Sequence, residues 1–466
     1  MPKHINNYPK FAVVGHPNKG KSSIVASLAQ DDSIHISDTP GTTSMSRSFP
    51  LKVDGEILYE LYDTPGFQRP REVLQWLQKH DVPANQRPKI VKDFIIKYQN
   101  EDRFHDEIEL LHPIMDGAGI LYVVDGSKPY GTEYEAEMEI LRWCGQPSMA
   151  LINHIGENDY SSEWRMALEQ YFRIVKSYNP MESDPKQQFE LLEAMVQLDE
   201  RWREPLKQSI TLFKKLREQR LSQSSDIIMK MIIESLSYKE HIPIHTKKAT
   251  VAQKEKLHIK YKQHLRAIEE KSQKQLERLW QHINLNKHQE DQALDDLDLF
   301  SKESESLFGL SRKEMTNTGM FTGAAAGAGI DLLFAGHTLL LGGLIGGAAG
   351  AMSAYMGFNE LSDTKILGQK LGSRYLEMGP MQNRNFPYIL LGRALYHLHV
   401  LTTRSHAKRN IASINASSKF KTQWLDSEDN KKLEKYFKIL RSSKSKQIGN
   451  KNEFRIFLLR LIKKIT

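Results

Sequence analysis

Glycine, lysine and serine recur near the N-terminus with a spacing that suits phosphate binding. Gly15, Gly20, Lys21 and Ser22 fit the pattern GxxxxGK followed by serine or threonine. Glycines let backbone amides approach phosphate oxygens, a lysine adds a point charge at the β and γ phosphates, and a serine hydroxyl can ligate Mg²⁺. The pattern therefore predicts a nucleoside triphosphate site. The residues predicted to line it here are Gly15, Asn18, Lys19, Gly20, Lys21, Ser22 and Ser23.

Two further motifs lie downstream of this loop. Asp63 and Gly66 stand in "DTPG" directly after an apolar run, where the carboxylate can hold Mg²⁺ through water and the glycine amide can sense the γ phosphate. Thr43, in "SDTPGTTSMS", is placed between the other two motifs and can complete the metal shell. The predicted Mg²⁺ ligands are thus Ser22, Thr43 and Asp63. The predicted catalytic residues are Lys21, Thr43 and Gly66.

The elements that must position these motifs alternate along residues 11–179. Strand-like apolar runs, separated by helical stretches, read "FAVV", "EILYELYD", "AGILYVVDG", "SMALIN" and "YFRIVKS". Such alternation predicts an α/β fold with a doubly wound, mostly parallel sheet. The phosphate motif falls between the first strand and a helix from Ser22 to Leu28, so the helix start adds its positive dipole end.

The segments "GHPNKGKS", "PGTT" and "DTPGF" together resemble the Era and TrmE group of small bacterial GTPases over residues 8–180. The resemblance implies a P-loop GTPase domain that binds Mg-GTP and hydrolyses it to GDP and phosphate. It also implies that Asn18 ligates K⁺ beside the nucleotide. Phe67 follows the DxxG motif, where other GTPases carry a water-orienting glutamine, so hydrolysis would lean on electrostatics. Gln68 is a rival water-orienting residue.

The guanine-reading motif of that group, NKxD, is altered in this chain. After "SMALIN" the sequence continues "HIGENDY", so Asn153 matches, His154 replaces lysine and Gly156 stands at the aspartate position. Base choice is therefore open between GTP and ATP. Asn153 has a second reading, in which it only ties this loop to the phosphate loop.

Three other residues are candidates near the base. Glu157 or Asp159 can supply the missing carboxylate, with Asp159 the predicted residue. Ser177, in "IVKSYN", fits the last base-backing motif of the group, which is a short and unspecific pattern.

The remaining chain differs in composition. The 466 residues carry a net charge of +8, yet residues 401–466 hold 17 Lys or Arg against 5 Asp or Glu, a balance of +12. The chain has one cysteine, Cys144, which we interpret as a small buried side chain. The predicted divisions are a GTPase domain at 1–180 with an insertion at about 68–116, a helical region at 181–318, an apolar hairpin at 319–358, and a basic helical region at 359–466.

Residues 319–358 carry a single formal charge, Asp331, and residues 339–358 are 20 uncharged residues. A helix of that length spans about 30 Å, the thickness of a bilayer core. Two interpretations follow, a membrane-associated hairpin and a buried hairpin in a soluble domain. A basic tail suits an anionic membrane surface and suits RNA equally.

These features predict a GTPase switch that acts through its helical C-terminal region on a membrane or a protein effector. A nucleotide-gated RNA or ribosome-assembly protein is the second hypothesis, and an ATPase is the third. The absence of an N-terminal apolar segment predicts a cytoplasmic chain, peripheral or integral at the inner membrane if the hairpin enters lipid. The chain is also similar to a bacterial family in which such a GTPase domain precedes a C-terminal domain of unassigned function with a glycine-rich stretch.

Overall fold

The computed structural model describes residues 8–29, 45–53, 56–180, 185–244, 249–280, 298–310, 358–361, 365–366, 369–370, 374–403, 425–441 and 451–466. These residues form two compact units. The first runs up to Arg217, and the second runs from Glu218 to Thr402 and from residue 425 onward.

A six-stranded sheet is the centre of the first unit. Its strands are β1 (Lys10–Val14), β2 (Arg47–Val53), β3 (Glu56–Asp63), β4 (Gly119–Asp125), β5 (Ser148–Asn153) and β6 (Val175–Ser177). The order is β2-β3-β1-β4-β5-β6, and every neighbouring pair is parallel except β2 with β3. This confirms the predicted mostly parallel α/β sheet.

Two strands differ from the sequence prediction. β2 was not predicted, and its sequence "RSFPLKV" contains Pro50, which cannot donate to a ladder. Its place at the edge of the sheet explains why proline is tolerated there. In the predicted strand "YFRIVKS", only the last three residues form β6, and Tyr171 lies in a turn after helix α6 (Ser161–Leu168).

Helices cover both faces of this sheet. They are α1 (Lys21–Ala29), α2 (Pro70–Gln78), α3 (Arg87–Tyr98), α4 (His105–Met115), α5 (Glu135–Cys144), α6, α7 (Pro185–Val196) and the part of α8 (Glu200–Ser237) up to Arg217. Successive residues of a strand point to opposite faces, so Ala12 and Val14 join a core with α2 to α6, whereas Phe11 and Val13 join a core with α1, α7 and α8. The sheet is therefore doubly wound, as predicted.

The first unit extends beyond the predicted boundary at residue 180. Leu192 and Met195 of α7, with Leu206 and Phe213 of α8, belong to the same buried core as Val13. The second core of the sheet therefore needs residues up to Arg217, where the unit ends.

The insertion at 68–116 is helical and packs on the sheet. It contains α2, α3 and α4. Phe94 is fully buried and lies 5.3 Å, between ring centroids, from both Trp76 and Phe104. The insertion thus has an aromatic core of its own that is continuous with the sheet's core.

The second unit combines helices with small antiparallel sheets. Its further elements are β7 (Glu240–Ile244), α9 (Val251–Leu279), α10 (Lys302–Phe308), β8 (Phe358–Leu361), β9 (Lys365–Ile366), β10 (Gln369–Lys370), β11 (Arg374–Met378), α11 (Phe386–Thr403), α12 (Ser427–Arg441) and α13 (Lys451–Ile465). One face of α9 is apolar, and its residues Leu257, Tyr261, Leu265 and Leu276 are fully buried.

The second unit is mainly helical, as predicted, and it also contains short strands that the sequence did not indicate. β11 pairs with both β7 and β8 in a three-stranded antiparallel sheet, and β9 pairs with β10. Within the ranges that the structure describes, no helix combines the length and apolarity needed to cross a bilayer. The predicted hairpin at 319–358, Asp331 included, lies outside the described residues apart from Phe358, which begins β8.

Candidate nucleotide site

The loop between β1 and α1 has the backbone shape that its glycines predict. Gly15 has φ +142° and Gly20 has φ +82°, both in the region that favours glycine. A Cβ on Gly15 would lie 2.4 Å from the carbonyl oxygen of Val123, and one on Gly20 would lie 2.2 Å from Nδ2 of Asn153. Glycine is therefore required at positions 15 and 20. Asn18 has φ +59°, and its side chain is exposed at the tip of the loop.

Lys21 lies inside this loop. Its Nζ donates to the carbonyl oxygen of His16 at 3.0 Å and to that of Gly15 at 3.3 Å. Burial lowers the pKa of Lys21 to about 8, against a partial opposing effect of Asp63 and Glu137. A buried ammonium held by two carbonyl groups is a preformed partner for a polyphosphate, whose negative charge would offset the cost of its desolvation.

Ser22 and Asp63 meet at the start of α1. The Ser22 hydroxyl donates to Oδ2 of Asp63 at 2.7 Å, and the carboxylate is almost completely buried at the end of β3. A hydroxyl and a carboxylate are hard oxygen ligands of the kind that Mg²⁺ prefers. These two residues fit the predicted metal, whereas Thr43, the third predicted ligand, lies outside the described residues.

The DxxG segment closes directly onto the phosphate loop. The amide of Phe67 donates to the carbonyl oxygen of Gly15 at 3.2 Å. A Cβ on Gly66 would lie 2.4 Å from the nitrogen of Pro17, so only glycine allows this approach. Phe67 is completely buried in the core with α2 to α6, and its side chain therefore takes no part in the site.

Asn153 ties the loop after β5 to the phosphate loop. Its Nδ2 donates to the carbonyl oxygen of Lys19 at 2.9 Å, and its Oδ1 accepts the amide of His154 at 2.8 Å. The side chain is 2% exposed. This is the contact that the second reading of Asn153 predicted.

The other base-side candidates have different contacts. Asp159 is exposed, and its Oδ1 accepts the amide of Ser161 at 2.9 Å in the turn before α6. Ser177 is exposed at the end of β6 and accepts Nη2 of Arg165 at 3.2 Å. At Gly156, a Cβ would lie 3.0 Å from the Ser127 hydroxyl, so little room remains there for a larger side chain.

A second set of contacts holds the phosphate loop from α5. Nδ1 of His16 lies 2.8 Å from Oε1 of Glu137, and the hydroxyl of Tyr122 donates to the other carboxylate oxygen at 2.9 Å. Lys19 lies over the ring of Tyr134 at 5.5 Å, and burial lowers its pKa. Apart from Lys19, the sequence did not indicate these residues, because the contacts of His16 with Glu137 and of Lys19 with Tyr134 join positions more than a hundred residues apart in the chain.

Asp125 is a further buried carboxylate that sequence reasoning missed. It ends β4 beside Asn153 in the adjacent strand, and its Oδ1 accepts the Ser127 hydroxyl at 2.6 Å. An aspartate at the end of a fully apolar strand was the available signal. Within the described ranges, no group of three or more His, Cys, Asp or Glu side chains is arranged to hold a metal ion.

Comparisons with known proteins agree with this geometry. A family model described as "50S ribosome-binding GTPase" matches residues 10–154, and one described as "Domain of unknown function (DUF3482)" matches residues 165–455. GTPase Der of Agathobacter rectalis is 35% identical over 74 residues, which cover 16% of this chain and 17% of that protein. The tRNA modification GTPase MnmE of Mycoplasmoides gallisepticum is 24% identical over 210 residues, which cover 41% and 45%.

The chain thus spans less than half the length of either of these curated relatives. A crystal structure of Aquifex aeolicus Era bound to GDP and AlF4⁻ is 14% identical, covers 57% of this chain and 88% of that chain, and has a TM-score of 0.29. The N-terminal unit has the P-loop GTPase fold. Because the DUF3482 model matches more than half of the whole chain, the chain belongs to the DUF3482 family.

Proposed function

We propose that the N-terminal unit binds Mg-GTP and hydrolyses it to GDP and phosphate. The observation that carries the proposal is the direct closure of the DxxG segment onto the phosphate loop, through Phe67 and Gly15 and through Gly66 and Pro17. A γ phosphate bound in the loop would lie beside that junction. The backbone at Gly66 would then have different contacts with and without the γ phosphate.

Different residues of the loop would bind the phosphates and the Mg²⁺ ion. The amides of the loop and the start of α1 would hold phosphate oxygens, and Lys21 would exchange its two carbonyl partners for the β and γ phosphates. Ser22 and Asp63 would hold Mg²⁺, with Thr43 as the third proposed ligand. When bound, Mg²⁺ neutralises charge on the β and γ phosphates.

Hydrolysis proceeds by attack of a water oxygen on the γ phosphorus, with cleavage of its bond to the bridging oxygen of GDP. The buried Phe67 cannot orient that water. We propose that K⁺ held at Asn18 offsets the developing charge instead. GTP turnover measured in potassium and in sodium buffers of equal ionic strength tests this role of K⁺. Equal rates in the two buffers would contradict it.

The choice of guanine over adenine is a separate proposal. Guanine presents N–H donors that a carboxylate accepts, and the exposed Asp159 and Glu157 are the carboxylates of the loop after β5. We propose Asp159 for this role, with Ser177 behind the base. Asp159→Asn would then weaken GDP binding and leave ADP binding unchanged, whereas equal wild-type affinity for GDP and ADP would favour the ATPase alternative.

The proposed output is a nucleotide-dependent switch read by the C-terminal region. The match of residues 10–154 to a family described as "50S ribosome-binding GTPase" supports the RNA or ribosome hypothesis. Membrane association through 319–358 and the basic tail is the other proposal for the same region. Salt-dependent co-sedimentation with 50S subunits would favour the first, and membrane partition that is lost on deleting 319–358 would favour the second.

The experiment for the central proposal is phosphate release by the full chain in Mg²⁺ buffer, with GTP and ATP as alternative substrates. We expect GTP turnover that Lys21→Ala lowers by about tenfold or more, since the variant loses the charge at the transferred phosphate. Lys128→Ala, a change of an exposed lysine after β4, is the matched control. Wild-type turnover no faster than that of Lys21→Ala would contradict the proposal.

A further inference from the structure

Helix α4 of the insertion contacts the segment that follows the DxxG motif. The carboxylate of Glu107 is 1% exposed, and its Oε1 accepts the amide of Gln68 at 2.8 Å together with the amide of Arg69. These two residues directly precede α2, whose start has no cap from the side chain of Arg69 itself. Glu107 therefore accepts the two backbone amides that lead into α2.

The same helix contacts the other side of the site through Glu109. Its Oε2 accepts the amide of Ser46 at 2.9 Å, and its carbonyl oxygen accepts the Ser46 hydroxyl at 2.5 Å. That carbonyl is available because its ordinary helical donor would be residue 113, which is Pro113 and has no N–H. Side chains two positions apart on a helix point about 200° apart, so α4 can hold both segments at once.

Both segments adjoin the proposed Mg²⁺ ligand Asp63. Arg47, which follows Ser46, is opposite Asp63 in the antiparallel β2–β3 pair, and Gly66 follows Asp63 by three residues. Phe67 then connects this point to Gly15 of the phosphate loop. A continuous set of hydrogen bonds therefore runs from the phosphate loop through residues 67–69 to Glu107.

Burying a glutamate is unfavourable for its charged form, and burial raises the pKa of Glu107 against the opposing effect of the two amides. If this position served only to pack the core, a neutral or apolar side chain would fill it without the free-energy cost of desolvating a carboxylate. The position of this carboxylate, beside the segment that would sense the γ phosphate, gives a reason for its presence that packing alone does not.

We propose that Glu107 is a positioning residue for GTP hydrolysis: it fixes residues 67–69 so that the Gly66 amide faces the γ phosphate, and α4 with Ser46 transmits that state to the insertion. The inference rests on the proposed GTPase activity. It predicts that loss of Glu107 lowers kcat, because the γ phosphate is engaged during turnover, and spares GDP affinity, because GDP lacks that phosphate.

The test uses the full chain with Glu107→Ala and Glu107→Gln, measuring kcat and KM for GTP, GDP affinity and the unfolding temperature. We expect Glu107→Ala to lower kcat by about tenfold with GDP affinity within about threefold of wild type. Glu107→Gln keeps one acceptor oxygen and is expected to retain an intermediate kcat. If Glu107→Ala does not fold, the same comparison is made with Glu107→Gln.

Two controls separate positioning from stability. Leu110→Ala truncates a fully buried side chain on the same helix, so it should lower the unfolding temperature with little change in kcat below that temperature. Glu101→Gln, an exposed carboxylate before α4, should change neither.

The possible failures are distinct from one another. Unchanged kcat in the Glu107 variants of an active chain would overturn this inference alone, as would a parallel fall in kcat, GDP affinity and unfolding temperature like that of a core truncation. An inactive wild-type chain would overturn the proposed function and this inference with it.

Discussion

The backbone of Gly66 lies so close to Pro17 that a Cβ on Gly66 would stand 2.4 Å from the proline nitrogen and 2.8 Å from its Cα. Both contacted atoms belong to the backbone of the phosphate loop, which cannot turn aside as a flexible side chain can. The two segments that would sense a γ phosphate are therefore in direct contact in this structure.

Gly66→Ala should separate these two segments. We expect GTP turnover to fall by about tenfold or more, since the amide of residue 66 would be displaced from the phosphates. Gly131→Ala is the matched control, because its Cβ would meet the carboxyl end of the Glu133 side chain, which can move. Turnover of Gly66→Ala equal to that of Gly131→Ala would show that the close contact has no functional role.

Asn153→Ala should destabilise the first unit. The change leaves the buried carbonyl of Lys19 without its 2.9 Å donor, which costs about 1 to 3 kcal/mol in unfolding free energy. Nucleotide affinity should fall too, because the phosphate loop loses its connection to β5. Denaturant titration measures the first effect, with Ser177→Ala, at an exposed position, as the comparison. Equal unfolding free energies for the two variants would contradict the assigned contact.

His258 should make the second unit sensitive to acid. Burial, with Lys262 and Arg266 nearby, lowers the pKa of His258 to about 4, against about 6.5 in an unfolded chain. As pH falls, the unfolded state binds the proton before the folded state does. The contribution of His258 to the free energy of unfolding is therefore fully present above about pH 6.5 and is lost between about pH 6.5 and about pH 4. Because the side chain is only partly buried, we expect a loss on the order of 1 to 2 kcal/mol.

The variant His258→Gln should remove that part of the pH dependence. Unfolding free energies at neutral pH and near pH 4.5 measure it, with His264→Gln, on the exposed side of the same helix, as the control. A loss of stability in His258→Gln as large as in wild type would mean that other groups cause the acid sensitivity.

Cys144 should report unfolding of the first unit. It is the chain's one cysteine, it is completely buried, and burial raises the pKa of its thiol to about 12. A thiol reagent at pH 8 should therefore leave the native protein unlabelled and label it in parallel with denaturation. The variant Cys144→Ala, which has no thiol, measures the background reaction of the reagent. Rapid labelling of the native chain would contradict the placement of this side chain.

The phosphate loop could be predicted from the sequence because its requirements are local. Gly15 and Gly20 are needed for backbone conformation, and Lys21 and Ser22 follow at a fixed spacing. The alternation of strands and helices likewise predicted the parallel sheet, because the central strands β4 and β5 are apolar along nearly their whole length.

Contacts between distant residues could not be predicted. The His16 and Glu137 pair joins positions 121 apart, and Glu107 is 39 residues from Gln68. A single glutamate on an amphipathic helix gives no signal of its partner. The pairing of the antiparallel strands β7 and β11 was missed for the same reason, since each strand is five residues long and the paired residues lie 130 or more positions apart.

The basic tail shows how a charge count differs from a charged surface. In the described part of the tail, five lysines and arginines form ion pairs within the second unit. They are Lys432, Arg455, Arg460, Lys463 and Lys464. Asp429 and Glu428 are already counted in the +12 balance, whereas Arg455 pairs with Asp226 and Lys463 with Glu218, which both lie outside the tail. Part of the +12 balance is therefore offset by these two pairs.

Calorimetric titration of the full chain with GDP in Mg²⁺ buffer, beside Lys21→Ala, measures whether the phosphate loop binds a nucleotide. We expect saturable binding to one site per chain in the wild type, weakened in the variant by about tenfold or more, which corresponds to about 1.4 kcal/mol. Failure of the wild-type chain to bind any purine nucleotide, or equal affinity in the two proteins, would contradict this expectation.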